Sequence, residues 1–384
     1  MKYNKVNFLY RKPTSIYSSY MFFEGLEKAL KRNNLLYYSY AVGGKKELDM
    51  EKLLKYPVIS INSSWEPVFG IVKLISGKQF VAEINSEFMF DNDYFQEKNK
   101  VSLPSFSKIK KYLKILKSSP RVRSREFLEQ IKLILKVKIL HNYSYPSELL
   151  EKRSKHIDLY FSGIEKEVNK CINFLKKPCY WYSSWAHTEI LKENGEPRSD
   201  KILFVGALHE KRKRFFDQDK NKIIKIKKTI PQKDSLSNIK ELNNLINKYK
   251  YTICPVGIVD QYVPGKIFEC LACKKLCFCY LPGNSGYSQK VKDFFEDGKD
   301  IVYFKDFHEL EEKYNYFLNH PEESERIARS GCEKVRKYHN ADVRAKMFAE
   351  IVLHHANGGE YNNSYNNILL FGEKYSQNEK RKQF

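Results

Sequence analysis

The segment VPGKIFECLAC in the second half of the chain combines residue types that a phosphate and a ribose would need. Pro264 and Gly265 end the preceding segment and predict the start of a helix. Lys266 and Glu269 then lie three residues apart on one helix face. Amides at a helix start and a lysine bind anions, whereas a carboxylate accepts hydrogen bonds from sugar hydroxyls. The alternative is a solvated ion pair on a surface helix.

Strands and helices alternate around this segment. We predict strands at 201–206, 251–256, 276–282 and 301–304, and helices starting near 264, 288 and 308 and spanning 321–338 and 341–354. The first half repeats the alternation, with strands at 6–10, 35–41, 58–61, 79–84, 157–161 and 179–182 and a helix at 18–33. This pattern indicates an α/β protein whose parallel sheets bind ligands at the carboxyl ends of their strands.

Several motifs resemble GT-B glycosyltransferases. Lys201–Gly206 with the basic helix start at Arg212 resembles the opening of their donor domain, and 264–273 is similar to their nucleotide-sugar segment. Residues 320–331 and 335–339 resemble the C-terminal helices of the spore-coat maturation branch. The resemblance is specific over about residues 200–350. It implies two Rossmann-like domains facing a cleft, which transfer a hexose or pentose from a nucleotide-diphosphate sugar, UDP sugars foremost, to a hydroxyl acceptor.

The resemblance also implies roles for individual residues. Arg212 and Lys266 match the cations that stabilise the leaving diphosphate, so no metal and no permanently bound cofactor is expected. Glu269 matches the ribose ligand. The nucleotide sugar is therefore expected to contact Gly206, Arg212, Pro264, Gly265, Lys266 and Glu269.

The acceptor side is predicted from a carboxylate at a strand end. Glu87 is the candidate base that takes the proton of the acceptor hydroxyl, and its alternative role is a structural cap. Glu66 is the weaker candidate, and His209 follows the first strand of the second domain, from where it could reach the donor.

Two departures from the family pattern leave the reaction open. Many retaining members carry a glutamate eight positions before the ribose ligand, where this chain has Gln261, so the stereochemical outcome is open. The first loop, 10–19, lacks the paired glycines common in the fold. A catalytically silent GT-B protein that binds donor without turnover is therefore an alternative.

Charge is the second strong signal. Lysine and arginine outnumber acidic residues by 68 to 46, which leaves a net charge of +22. Between Phe106 and Leu140 eleven basic residues face two acids, and apolar residues recur there at helical spacing. Such a basic helical insertion suits an anionic membrane surface or a phosphate backbone. It is equally compatible with a surface helix packed on its own domain.

These signals predict partners and a location. A glycan or lipid-linked acceptor at a membrane is the preferred partner, and DNA carrying hydroxymethylated bases is the alternative, since certain viral GT-B enzymes glycosylate DNA. The chain has no apolar run long enough to span a membrane and its first residues lack a signal-peptide core, which predicts a cytoplasmic enzyme, peripheral at the inner membrane face.

Chain length and composition predict the domain organisation. The 384 residues are enough for two domains, which we place at 1–190 and 200–356, with a mobile basic tail at 357–384. Four cysteines lie at 270, 273, 277 and 279, and the first two have the spacing of a zinc knuckle. Buried free thiols in a reducing compartment are the preferred interpretation, because the alternation places the first two on a helix and the others on a strand.

Overall fold

The computed structural model describes residues 2–11, 23–42, 44, 46–61, 66–85, 154–195, 199–206, 208, 210–228, 238–255, 263–281, 286–367 and 373. Met1–Ser86 and His156–Phe384 together form one compact unit, and Glu87–Lys155 form another. Every element named below lies in the first unit. The basic segment 106–140 lies outside the described residues, so its role stays a prediction.

The N-terminal sheet is built from parallel strands. They are β1 (Val6–Arg11), β2 (Leu36–Val42), β3 (Val58–Ile61), β4 (Val81–Asn85), β5 (Leu159–Ser162) and β6 (Cys179–Trp181). Their order is β2-β1-β3-β4-β5-β6, and each neighbouring pair is parallel. Every residue of β3 and β5 is buried, as expected when helices cover both faces of a sheet. The predicted strands of this half are confirmed, with small shifts at their ends.

The helices described in the N-terminal half are α1 (Gly25–Arg32), α2 (Met50–Leu53), α3 (Glu66–Ile75) and α4 (Glu165–Leu175). Helix α1 buries Leu26, Ala29 and Leu30, which recur at helical spacing. It ends before Asn34, whose φ of 56° is a left-handed conformation that asparagine tolerates. Within the predicted helix 18–33, the structure confirms helix over 25–32, and residues 18–22 lie outside the described residues.

The C-terminal sheet is also parallel. Its strands are β7 (Ser199–Gly206), β8 (Ile224–Lys228), β9 (Tyr249–Cys254), β10 (Leu276–Tyr280) and β11 (Val302–Phe304), in the order β11-β10-β9-β7-β8. The helices that follow these strands are α5 (Glu210–Phe216), α6 (Ile239–Asn247), α7 (Gly265–Ala272), α8 (Gly286–Phe294), α9 (Phe307–Asn319), α10 (Pro321–Tyr338) and α11 (Ala341–Ala356). The α/β class predicted from the alternation is thus confirmed.

Sequence analysis missed β8 and α6. Strand β8 is the edge of its sheet and alternates isoleucine with lysine, and such a strand lacks the continuous apolar run of a central strand. Helix α6 begins after Asn238, whose side-chain oxygen accepts a hydrogen bond from the Glu241 amide at 3.0 Å. The alternation of β8 and the cap of α6 were the available signals.

The first three strands of each sheet are arranged in the same way. In each, the second strand pairs on one side of the first and the third strand pairs on the other side. A doubly wound sheet opens a crevice at the carboxyl ends of its first and third strands, where its helices diverge to opposite faces. In the C-terminal sheet these strands are β7 and β9, so the crevice lies between the segments leading to α5 and α7.

Helix α7 is held firmly from behind by α10. A Cβ added to Gly331 of α10 would lie 2.8 Å from Leu271 Cδ2 of α7, so the two helices approach closely at this glycine. Phe268 and Leu271 are fully buried on this side of the sheet. The end of α7 that carries Leu271 is therefore packed directly on α10.

The chain crosses between the two sheets twice. After β6, the Ala186 amide donates to the His339 carbonyl at 2.8 Å, and the Ala341 amide donates back to the Ala186 carbonyl at 2.9 Å. Helix α11 then packs on α1, where Arg32 and Asp342 form an ion pair at 3.0 Å. The last long helix of the described chain therefore lies against the N-terminal sheet.

The residues after α11 continue along this sheet. Tyr361 stacks on Tyr180 with ring centroids 4.9 Å apart, and the Trp181 amide donates to Asn366 Oδ1 at 2.8 Å. These contacts cover the edge strand β6 as far as the described part of the tail extends. The division at 190, 200 and 356 remains a prediction. Within the described residues, no helix is both long and apolar enough to cross a membrane.

Candidate functional site

The first turn of α7 lies at the crevice of the C-terminal sheet. Pro264 is its N-cap, with φ −64° and ψ 133°, and no side chain caps the helix there. The first turn carries no acidic residue, so the positive end of the helix dipole is not neutralised from within the turn. Pro264 and Gly265 thus lie where the sequence predicted a helix start, and the geometry suits an anion.

Lys266 and Glu269 form an ion pair on α7. Lys266 Nζ lies 2.8 Å from Glu269 Oε2, and the side chains are only 15% and 8% exposed. The interpretation as a solvated surface pair is therefore wrong. A pair this shielded interacts more strongly than an exposed one, and it costs more to desolvate.

Gly206 and Arg212 meet at the end of β7. A Cβ added to Gly206 would lie 2.9 Å from Phe204 Cζ and 3.6 Å from Arg212 Nη1. The Arg212 guanidinium lies over the Phe204 ring, 5.5 Å from its centroid. The glycine therefore leaves room for a cation held on an aromatic ring at the strand end.

The basic residues at the start of α5 differ in how far they are buried. Arg212 is half-buried, whereas Lys213 and Arg214 are exposed. Of these three, Arg212 is the one that the fold holds beside Gly206. Sequence reasoning missed Phe204 as the support of this cation, because Phe204 lies in the continuous apolar run of β7 and looks like any other core residue.

The strand register brings the carboxyl ends of β7, β8 and β9 side by side. Leu203 of β7 is the partner of Thr252 on β9, so the last residues of both strands are neighbours. On the other side, Gly206 is the partner of Lys228 on β8. Sequence analysis gave Lys228 no role because it missed β8.

Other predicted site residues lie outside the part of the chain that the structure describes. Glu87, Gln261 and His209 belong to undescribed segments, and for Glu66 only the backbone, at the start of α3, is described. The base, the position of the amide and the role of the histidine stay predictions.

All eight cysteines are buried and unbridged. Burial raises the pKa of Cys270 to about 12, and it raises the pKa of Cys273 and Cys277 well above the usual value. These thiols are therefore protonated at neutral pH and pack as small apolar groups. The described residues contain no cluster of three or more His, Cys, Asp or Glu side chains arranged for a metal ion.

Comparison with known proteins agrees with this geometry. Residues 207–350 match the family model described as "Glycosyl transferase-like". Sucrose-phosphate synthase from Thermosynechococcus elongatus superimposes with a TM-score of 0.51 at 10% identity, over 90% of this chain and 98% of that one. The chain has the GT-B fold.

Further solved structures resemble the chain more distantly. Anabaena Alr3699/HepE in complex with UDP has a TM-score of 0.46 at 8% identity, over 91% of this chain and 99% of that one. T4 phage BGT in complex with UDP and Mn²⁺ has a TM-score of 0.46 at 10% identity, over 92% and 99%. No curated protein sequence matches the chain. The family match covers residues 207–350 of the chain.

Proposed function

We propose that this GT-B protein is a glycosyltransferase that moves a sugar from a nucleotide-diphosphate sugar to a hydroxyl acceptor. The observation that carries the proposal is the shielded Lys266–Glu269 pair at the start of α7, at the crevice between β7 and β9. The match to glycosyl transferase-like sequences covers the same lobe and supports it.

The donor half of the mechanism rests on charge. Sugar transfer develops oxocarbenium character on the sugar and negative charge on the leaving diphosphate. Arg212, held on Phe204, and Lys266, in the first turn of α7, are the cations proposed to stabilise that charge. With two side-chain cations and a helix start directed at the diphosphate, we expect transfer to proceed without a metal ion.

Glu269 is proposed to accept hydrogen bonds from the ribose hydroxyls. An unpaired carboxylate at this place would repel the diphosphate, but its ion pair with Lys266 offsets most of that repulsion before the donor arrives. Binding then exchanges one favourable contact for two, because Lys266 turns to the phosphate and Glu269 to the sugar.

The acceptor half rests on the family resemblance. We propose Glu87 as the base and a cell-surface or lipid-linked glycan as the acceptor, with the chain in the cytoplasm and peripheral at the inner membrane face. Membership of the spore-coat maturation branch, UDP as the nucleotide, and a hexose or pentose as the sugar are parts of the same proposal.

A second candidate follows from the charge. A net charge of +22, with eleven basic residues against two acids between 106 and 140, also favours DNA as the acceptor. Transfer to hydroxymethylated bases would show it, together with a steep loss of DNA binding as salt increases.

The donor screen tests the proposal directly. The purified chain is incubated with UDP, GDP, TDP and CMP and with their sugars, and the melting temperature and donor hydrolysis are measured. We expect one nucleotide series to raise the melting temperature, with the shift growing as the logarithm of its concentration above Kd, and its sugar to be released slowly. Binding without release, even with acceptors present, would indicate a silent GT-B protein. If no nucleotide or nucleotide sugar binds, the proposal is wrong.

A further inference from the structure

A buried polar cluster lies where the chain crosses between the two sheets. Arg344 of α11 and His339, just after α10, are fully buried, and Ser183, just after β6, is 3% exposed. The cluster therefore joins the outgoing crossing, near Ser183, to the returning crossing, near His339. None of these residues belongs to the proposed donor site.

The Arg344 guanidinium is bound by neutral acceptors. Its nitrogens donate to the Ser183 carbonyl at 3.3 Å, to Ser183 Oγ at 2.8 Å, to the Tyr338 carbonyl at 3.3 Å and to His339 Nδ1 at 3.0 Å. Burial lowers the pKa of Arg344 to about 9, which still leaves it charged at neutral pH. A buried cation without a carboxylate costs stability, and an apolar side chain would avoid that cost.

The bond to Arg344 fixes the state of His339. A guanidinium has no acceptor, so Nδ1 must be unprotonated and the ring proton must be on Nε2. Burial, and then the positive charges of Arg344 and Lys334, hold the pKa of His339 well below its usual value, so the ring is neutral. The imidazole is thus held in one tautomer.

The His339 ring packs against three phenylalanines, one of which belongs to α7. Its centroid lies 5.1 Å from that of Phe268, 4.9 Å from Phe294 and 5.7 Å from Phe295. Phe268 is the neighbour of Glu269 on α7. Because interiors are close-packed, we expect a tilt of the imidazole to displace Phe268, which lies between Lys266 and Glu269 along α7.

We propose that Arg344 is a positioning residue for the donor site. It orients His339, and His339 holds Phe268 of α7 relative to the place where the chain crosses between the two sheets. This inference rests on the proposed function for its effect on nucleotide binding, and on the fold alone for its effect on α7.

Four variants test the inference. Arg344→Met removes the guanidinium that donates hydrogen bonds, and Arg344→Lys keeps the positive charge. His339→Gln keeps a hydrogen-bond acceptor for Arg344 but loses the aromatic ring. Arg32→Met is the control, because Arg32 also anchors α11, through its ion pair with Asp342 at 3.0 Å. For each variant we measure the melting temperature, UDP affinity by calorimetry, KM and kcat, and hydrogen exchange of α7 amides.

We expect Arg344→Met and His339→Gln to weaken UDP binding by about tenfold or more, as a displaced contact does, and to speed exchange in α7. Arg344→Lys should recover part of both losses. Arg32→Met should lower the melting temperature with UDP affinity and α7 exchange unchanged.

Two outcomes would overturn the inference. One is that Arg344→Met, or His339→Gln if Arg344→Met does not fold, lowers the melting temperature but leaves α7 exchange as in Arg32→Met. The other is wild-type UDP affinity in these variants. If the wild type itself binds no nucleotide, the proposed function fails, and α7 exchange still decides whether Arg344 positions the helix.

Discussion

A double-mutant cycle on Lys266 and Glu269 tests whether their ion pair is shielded as the structure shows. At 2.8 Å and an effective dielectric constant near 20, the two charges attract by about 6 kcal/mol. Desolvation offsets much of this, because the side chains are only 15% and 8% exposed. We therefore expect a coupling of about 2–3 kcal/mol in the free energy of unfolding.

The cycle consists of Lys266→Met, Glu269→Gln and the double variant, each unfolded in urea. Lys299 and Glu296 give a matched control, since their charged atoms are also 2.8 Å apart at a spacing of three residues, but the side chains are 60% and 64% exposed. Water screens that pair, so its cycle should show no measurable coupling. Equal coupling in the two cycles would refute the argument from burial.

Nucleotide titration of the same variants separates structure from function. Each single variant should lose about 10- to 100-fold in UDP affinity, the range for one charge-assisted hydrogen bond at about 1.5–3 kcal/mol. Saturating UDP should also reduce the coupling, because Lys266 and Glu269 then turn from each other to the ligand. Wild-type affinity in both single variants, with the coupling intact, would show that the pair only stabilises α7.

Two further predictions concern the surroundings of the site. Gly206→Ala places a methyl group 2.9 Å from the buried Phe204 and 3.6 Å from Arg212, so calorimetry should show UDP affinity lower by about tenfold, and the melting temperature should fall because Phe204 must shift. Unchanged affinity would mean that Arg212 does not contact the nucleotide. Burial alone would raise the pKa of Asp300, but hydrogen bonds, chiefly from Lys334 at 2.7 Å, outweigh it and hold that pKa below its usual value. A lowered pKa stabilises the fold above the unfolded-state value near 4 and loses that effect in more acidic solution, so acid titration should destabilise the wild type more than Asp300→Asn below about pH 4.

Much of the fold could be predicted from local patterns. The buried strand β10 is a continuous apolar run, and α10 begins at a proline directly after a helix end. Such signals lie within a few residues of one another, so one sequence suffices to read them. β8 was missed because an edge strand carries lysines where a central strand carries apolar residues.

The chain's own sequence determined which residue types stand at the start of α7 and that a parallel sheet places them at a strand end. Their spacing of three residues follows from the helix, whatever surrounds it. Only the tertiary structure decided that Lys266 and Glu269 are shielded from water, and that Arg212, not Lys213 or Arg214, is half-buried near Gly206. Burial depends on elements that are far away in the chain, as α10 is from α7. A local sequence pattern does not show which distant element will pack against it.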